Sequence, residues 1–529
     1  MRTEPASFNR HVGRDTSTNL VFLLTQGRLV RVNQATQAVE PGLAESWTSS
    51  DDGLHVTMAL RRGVLFSDGQ PFSSADVLFS FQAAYDPASH SLLRDTVQAG
   101  GKDLRVEAPD DHTVVITYPQ PFGPGVRLLD GLPILPRHKL EPALKAGTFS
   151  KAWGLTTPLS ELAGLGPFML SGYQPGQRLL FSRNPHYYGK AADGTPLPYL
   201  DRIVVEVIPD QSAELLRLES GQIDMMTSEI SPDAYAPLKR AADQGRVKLL
   251  DLGGSRNADL LWFNLTPGAF AGDPRAAWIQ RDELRRAISL SVDRKAFADT
   301  VYLGAGVPVY GPETPANKQW LWAGQPQRPY DQAAAKQLLA SIGLSDRNGD
   351  GLLEDANGQP ARFTLITQKG RVNLERGTAV IREELKKIGL AVDVAAVDVS
   401  QVIDAFVVSR KYDAIYFNAL KTDLDPGTNA DYWLSSGGAH MWNLGQKTPA
   451  TDWEKRLDEL MVRQIASRDD AERKQLYDDV QKIFDEHLPA VYFVAPRIYV
   501  AHSARVLNVT PSEARPQLLW RPETVAVVH

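Results

Sequence analysis

Between Lys411 and Trp433 the chain gathers side chains suited to holding a small charged or flat molecule. Asp423, Asp425, Asn429 and Asp431 supply carboxylate and amide oxygens, and Tyr416, Trp433 and the following Trp442 supply flat rings. Acids at this spacing either face a cationic group or close Asx turns on their own backbone. The rings, with Trp262, either stack on sugars, line side-chain pockets, or pack in a core. A second cluster runs Asp346-Arg347-Asn348-Gly349-Asp350-Gly351-Leu352-Leu353-Glu354. Oxygens at its first, third and fifth positions (Asp346, Asn348, Asp350), a glycine at the sixth and a polar ninth fit most of an EF-hand calcium loop. The twelfth position holds Asn357 instead of a bidentate glutamate. Calcium would be held weakly at best, and a loop closed by its own side-chain hydrogen bonds is the simpler alternative.

These groups do not form a recognisable catalytic set. No HExxH, GxSxG or P-loop string occurs, and those strings are how the corresponding chemistries announce themselves. Asp423 and Asp425 have no partner whose surroundings would drive their proton affinities apart, as an acid–base pair requires. The chain has no cysteine, which excludes disulfides, thiol nucleophiles and thiolate metal sites. A hydrolase therefore stays a remote reading beside a binding protein that needs no cofactor.

Composition narrows the partners. The 57 Lys+Arg against 63 Asp+Glu give a net charge of −6, the wrong sign for non-specific nucleic-acid binding. The 529 residues suggest about three domains. No apolar run approaches the ~18 residues a membrane span needs. The start, Met1-Arg2-Thr3-Glu4-Pro5, lacks the apolar segment of a signal peptide. That leaves a cytoplasmic protein, or an exported one whose leader has been replaced by an initiator Met.

The elements that must position these groups read as an α/β succession. Alternation predicts strands over Leu54–Leu60 and Thr113–Tyr118. Ser73 with Asp76 three residues on predicts a helix start. Short strands are expected at Phe168–Leu170, Arg178–Phe181, Ile203–Ile208, Ile223–Met226 and Leu260–Leu265. Apolar spacing over Arg281–Leu303 fits one helical face. Further helices are expected at Asp331–Ile342, Thr378–Ile388, Trp453–Ile465 and Ala471–His487. Between them fall strands at Phe363–Thr367, Ala391–Val397 and Asp413–Phe417.

Several strings occur together in one order. Pro41-Gly42-Leu43-Ala44-Glu45-Ser46-Trp47 precedes Leu60-Arg61-Arg62-Gly63-Val64-Leu65-Phe66-Ser67-Asp68-Gly69-Gln70-Pro71-Phe72 and Ala75-Asp76-Val77-Leu78-Phe79-Ser80-Phe81. Gly166-Pro167-Phe168, Arg183-Asn184-Pro185-His186-Tyr187-Tyr188 and Leu218-Glu219-Ser220-Gly221-Gln222-Ile223-Asp224 follow, then Leu284-Arg285-Arg286-Ala287-Ile288 and Leu385-Lys386-Lys387-Ile388-Gly389. This series resembles the family 5 solute-binding proteins of ABC importers, which bind peptides, nickel or oligosaccharides. The strings are turn and core residues that mark the family, not ligand contacts.

The resemblance implies a type II periplasmic-binding-protein fold with an extra domain: two lobes of mixed β-sheet flanked by helices, closing on a ligand between them. It implies lobe I from 1–40, 167–257 and 497–529, an extra domain from 41–166, and lobe III from 258–496. It implies no catalysis and a periplasmic or extracellular monomer. That monomer would hand a short peptide, or alternatively an oligosaccharide, to a membrane permease. Peptide-binding relatives resemble the 411–433 stretch, with a loop Asp for the ligand ammonium and a later acid–Pro pair. Asp425-Pro426 matches the pair. Thr422 occupies the amine-binding position, and Asp423 is displaced by one. The resemblance also places an Arg near Arg376 to pair with the ligand carboxylate, a role for which a planar guanidinium is suited; Arg371 and Lys369 compete for it.

Overall fold

Acidic and hydroxyl side chains start most of the helices. In the computed structural model, which describes residues 1–418 and 423–528, Ser73 and Asp76 form the expected capping box on helix Ser74–Tyr85. Asp15, Asp210, Asp293, Asp331 and Asp469 accept backbone N–H groups at five other helix starts. Each cap satisfies donors that would otherwise be left unpaired.

The chain divides into two units, 1–252 with 499–529, and 253–498. The second lies within a few residues of the expected lobe III. In the first, the expected lobe I and the 41–166 segment share one core. Phe8, Leu20 and Leu24 pack with Phe79, Leu140, Phe149 and Trp153, and with Phe168, Phe181 and Leu519. Apolar side chains from all these segments are buried together. The first unit holds antiparallel sheets. One has the order Ala44–Ser49, His55–Leu60, Thr113–Thr117, Arg105–Asp110, and another Arg202–Glu206, Arg178–Arg183, Phe168–Gln174. The strand expected at 223–226 is reduced to a single bridge from Met225 to His502.

The second unit is built on a mixed sheet. It contains, side by side, Ala490–Ser503, Asp259–Phe263, Ala414–Asn418, Arg362–Gln368 and Ala391–Val397, and Gly306–Pro308 pairs with Ala490–Ser503. Asp259–Phe263 is antiparallel to both neighbours. Arg362–Gln368 runs parallel to both of its own. Leu261, Phe263, Leu365 and Tyr416 face a core closed by Leu284, Ile288, Phe297, Ile381 and Leu385 from helices.

Two helices differ from the sequence reading. Arg281–Leu303 is not one helix: Asp282–Ser291 and Arg294–Val301 are separated at Val292-Asp293, where Asp293 turns back to cap the second. The apolar spacing runs on across the break and hides it. The helix expected from Thr378 begins six residues earlier and spans Val372–Lys387.

Candidate ligand-binding site

The sheet of the second unit reverses its strand order at one place. Arg362–Gln368 leads through helix Val372–Lys387 to Ala391–Val397 on one side, and the next connection returns past it to Ala414–Asn418 on the other. In open α/β sheets, ligands bind outside the carboxyl ends of the strands at such a switch point. The Arg362 and Ala391 strands pair along seven residues, Arg362↔Ala391 to Gln368↔Val397. The Arg362 and Ala414 strands pair only at Leu365↔Ala414 and Ile366↔Ile415. Beyond that, Thr367 Oγ1 donates to the Tyr416 carbonyl at 3.0 Å.

Cations stand after the first of these strands. Lys369 and Arg371 are exposed and Arg376 is half-buried. Among the described residues none of the three has a carboxylate partner. Arg371 stands immediately before the first helical residue without a side-chain cap bond, and Arg376 lies in the second turn, not before the helix as the later start implied. The helix N-terminus adds a partial positive charge to this lip.

The segment after the Ala414 strand carries the acids. Thr422 lies outside the described residues. Asp423 is half-buried; its Oδ1 accepts the Asp425 N–H at 2.9 Å and its carbonyl accepts from Asn429 Nδ2 at 2.9 Å. Asp425 has a different place. It is buried, caps Gly427 at 2.8 Å, and is gripped by Arg473 through Nη1–Oδ2 at 2.9 Å and Nη2–Oδ1 at 2.6 Å. Asn317 Nδ2 donates to the neighbouring Leu424 carbonyl at 3.0 Å. Asp425 therefore anchors the segment from beneath, which corrects the expectation that it faces ligand.

The rings are also placed inward. Trp433 is 1% exposed and packs edge-on to Tyr432, Tyr477 and Phe484, with centroids 4.9–6.0 Å apart. Trp442 is fully buried, lies 4.0 Å from the His440 ring, and donates Nε1–H to Glu454 at 3.2 Å. Both are core residues, so of the three roles open to them the structure shows packing and no free stacking face. Tyr416 is likewise buried, and its hydroxyl donates to Asp259.

Asp259 is the residue that sequence reasoning missed. It is fully buried at the start of the otherwise apolar strand Asp259–Phe263. Its Oδ2 accepts the hydroxyls of Tyr302 at 2.8 Å and Tyr416 at 2.9 Å, and its Oδ1 accepts Asn418 Nδ2 at 2.9 Å. Asn373 of the Val372 helix donates to the Tyr302 hydroxyl at 2.8 Å. Burial pushes the Asp259 carboxyl up to about 6 against these donors and nearby Arg371. The network links both lips of the switch point: the helix start through Asn373 and the strand end through Asn418. Gly377 makes it fit, because a Cβ there would lie 2.4 Å from the Tyr416 hydroxyl. One acid heading an apolar strand was the available signal, since a buried carboxylate needs partners.

Two further groups lie apart from this edge. Asp346, Asp350 and Glu354 bring carboxylate oxygens within 4.8 Å of one another. Asp346 also accepts the N–H groups of Gly349 and Gly351, and Asn348 that of Asp350. A cavity of about 350 Å³ is lined by Asn264, Arg275, Thr364, Arg410 and Asp413 among others. It lies toward the opposite ends of the strands, and Arg275 there is already paired with Asp273 and Asp413, each at 2.6 Å.

At the switch point of this mixed sheet, cations follow one strand and acids follow the other. The chain belongs to the bacterial extracellular solute-binding proteins, family 5, whose model matches residues 38–441. It is a non-catalytic binding protein of an ABC importer for small solutes. A "Probable ABC transporter-binding protein" of Deinococcus radiodurans is 27% identical over 93% of this chain and 85% of that protein. The oligopeptide-binding protein AppA from Bacillus subtilis, solved in complex with a nonapeptide, matches with a TM-score of 0.73 at 24% identity. That match covers 100% of this chain and 98% of that one. The periplasmic binding protein MelB from Agrobacterium fabrum C58, solved in complex with stachyose, matches with a TM-score of 0.74 at 23% identity, covering 99% and 83%. Among the described residues no helix is long and apolar enough to cross a membrane.

Proposed function

We propose that this protein captures a short peptide in the periplasm or outside the cell and delivers it, as a monomer, to the permease of an ABC importer. The observation that carries this reading is the charge arrangement at the switch point. Lys369, Arg371 and Arg376 follow one strand without carboxylate partners among the described residues, and Asp423 follows the other. A peptide with free termini carries the complementary pair of charges. Its carboxylate suits a guanidinium at a helix N-terminus, and its ammonium needs an anion once water is excluded. The oligosaccharide alternative depended on rings that could stack, and Trp433 and Trp442 are spent in the core. AppA, bound to a nonapeptide, and MelB, bound to stachyose, share the fold, so the fold alone does not choose between them. No cofactor is needed for capture.

Native mass spectrometry of the protein purified with its endogenous ligand tests the reading. Released masses that fragment as short peptides support it. Released hexose oligomers overturn it.

A further inference from the structure

We infer that Asp259 is a positioning residue that sets whether Asn418 offers the ligand edge a hydrogen-bond acceptor or a donor. The inference rests on reading the carboxyl edge of the second unit's sheet as the ligand site. Asp259 and Asn418 are direct partners in the antiparallel pair of their strands. An ionised carboxylate only accepts, so the group 2.9 Å from Asp259 Oδ1 must be the Asn418 NH₂. The Asn418 carbonyl oxygen is thereby turned away from Asp259. Asn418 is half-buried at the last position of its strand, and its Oδ1 has no partner among the described residues.

The groups around Asp259 leave this arrangement sensitive to one proton. Tyr302, which follows helix Arg294–Val301, and Tyr416, on the neighbouring strand, both donate to Oδ2. Val494, its partner on the third strand, is apolar. Arg371, at the start of the Val372 helix, attracts the charge without bonding to it. Among the described residues no ion pair therefore holds Asp259 ionised. A proton added to Oδ1 turns that oxygen into a donor. Asn418 can meet it only by rotating its amide so that its own Oδ1 accepts, and its NH₂ then faces outward. Ionised Asp259 thus presents an acceptor suited to a ligand N–H or O–H. Protonated Asp259 presents a donor suited to a carbonyl or carboxylate. Burial raises this carboxyl to about 6, so the exchange falls in an accessible range.

The test uses the full chain, stripped of endogenous ligand, with asparagine side chains labelled with ¹⁵N. The Asn418 resonance is assigned by its loss in Asn418→Ser. In the wild type we expect the Asn418 amide signals to move between pH 7.5 and pH 5 with a midpoint near 6. Asp259→Asn should hold them at the low-pH position throughout, because the introduced amide faces Asn418 with its NH₂. Tyr302→Phe removes one donor from the carboxylate without touching Asn418. It should keep the response and move its midpoint to higher pH, which decides the matter if Asp259→Asn does not fold. Signals that ignore pH in the wild type, or still titrate in Asp259→Asn, overturn the inference. Tetra-alanine is the probe for the ligand side. Its affinity at pH 7.5 should fall about tenfold or more in Asp259→Asn, as a mismatched buried donor would cause. Equal affinities overturn the specificity role. A normal amide titration with no tetra-alanine binding to either protein overturns the peptide reading and leaves the Asp259–Asn418 coupling established.

Discussion

Arg473 holds Asp425 at two points, Nη1–Oδ2 at 2.9 Å and Nη2–Oδ1 at 2.6 Å, with both side chains buried. The guanidinium also lies 5.0 Å from the Trp320 ring centroid and donates to the Gln464 carbonyl. Helix Asp470–His487 is thereby tied to the segment that presents Asp423. The acid that resembles a ligand contact in sequence is the fastening for its neighbour.

Removing Arg473 leaves a carboxylate buried without its cation. Arg473→Met is expected to lose ~3–5 kcal/mol of unfolding free energy, the cost of breaking a buried pair from one side. Urea unfolding at pH 7 measures this. A loss below ~1 kcal/mol, the size of an exposed pair, would mean that Asp425 does not depend on Arg473.

Trp433 and Trp442 should behave as core residues. Replacing either by Ala is expected to cost ~3–5 kcal/mol through lost burial and a cavity. Ligand affinity, measured on the folded fraction, should change much less. A variant of normal stability with abolished binding would return these rings to the ligand.

Asp259 makes stability depend on pH in a defined direction. Its carboxyl rises from 3.8 to about 6 on folding because burial disfavours the charge. Its stabilising contribution is therefore complete below the unfolded value and is lost as pH rises through the folded one. Between pH 4 and pH 7 the wild type should lose ~2 kcal/mol relative to Asp259→Asn, a little under two units at 1.36 kcal/mol each because pH 4 still lies above 3.8. Denaturant titrations of both proteins at the two pH values give this difference. A difference independent of pH would place the titration elsewhere.

Calcium should matter little at the 346–354 loop. Asp346, Asn348 and Asp350 already bond to the loop's own backbone, and Asn357 replaces the bidentate glutamate. Any affinity is expected near ~10⁻⁴–10⁻³ M, the weak end for such loops. Thermal unfolding should be unchanged at micromolar calcium; a clear rise there would assign the loop a tighter site.

Local features were legible in the sequence. The Ser73–Asp76 capping box, the strands around Met58 and Val115, and the βαβ succession from Phe363 to Val397 follow from spacing within a few residues. What failed was non-local. The partner of Asp425 is Arg473, 48 positions away, and no local pattern reports it. The burial of Trp433 depends on Tyr477 and Phe484 from a distant helix. The early start of the Val372 helix is hidden because Leu374 is the one apolar residue between Asn373 and Gly377. Gly377 reads as a helix breaker until the Tyr416 hydroxyl beneath it is seen. Asp259 is one acid in an apolar run, and its meaning lies in two tyrosines contributed by other elements.

Calorimetric titration of tetra-alanine and of stachyose into the wild type and Asp423→Asn tests the central claim most directly. The account predicts that tetra-alanine binds and stachyose does not. It also predicts that Asp423→Asn, which keeps the shape but removes the charge, loses ~2–4 kcal/mol of tetra-alanine affinity, in the range for one member of a buried charge pair. Binding of stachyose without tetra-alanine, or tetra-alanine affinity unchanged in Asp423→Asn, would contradict it.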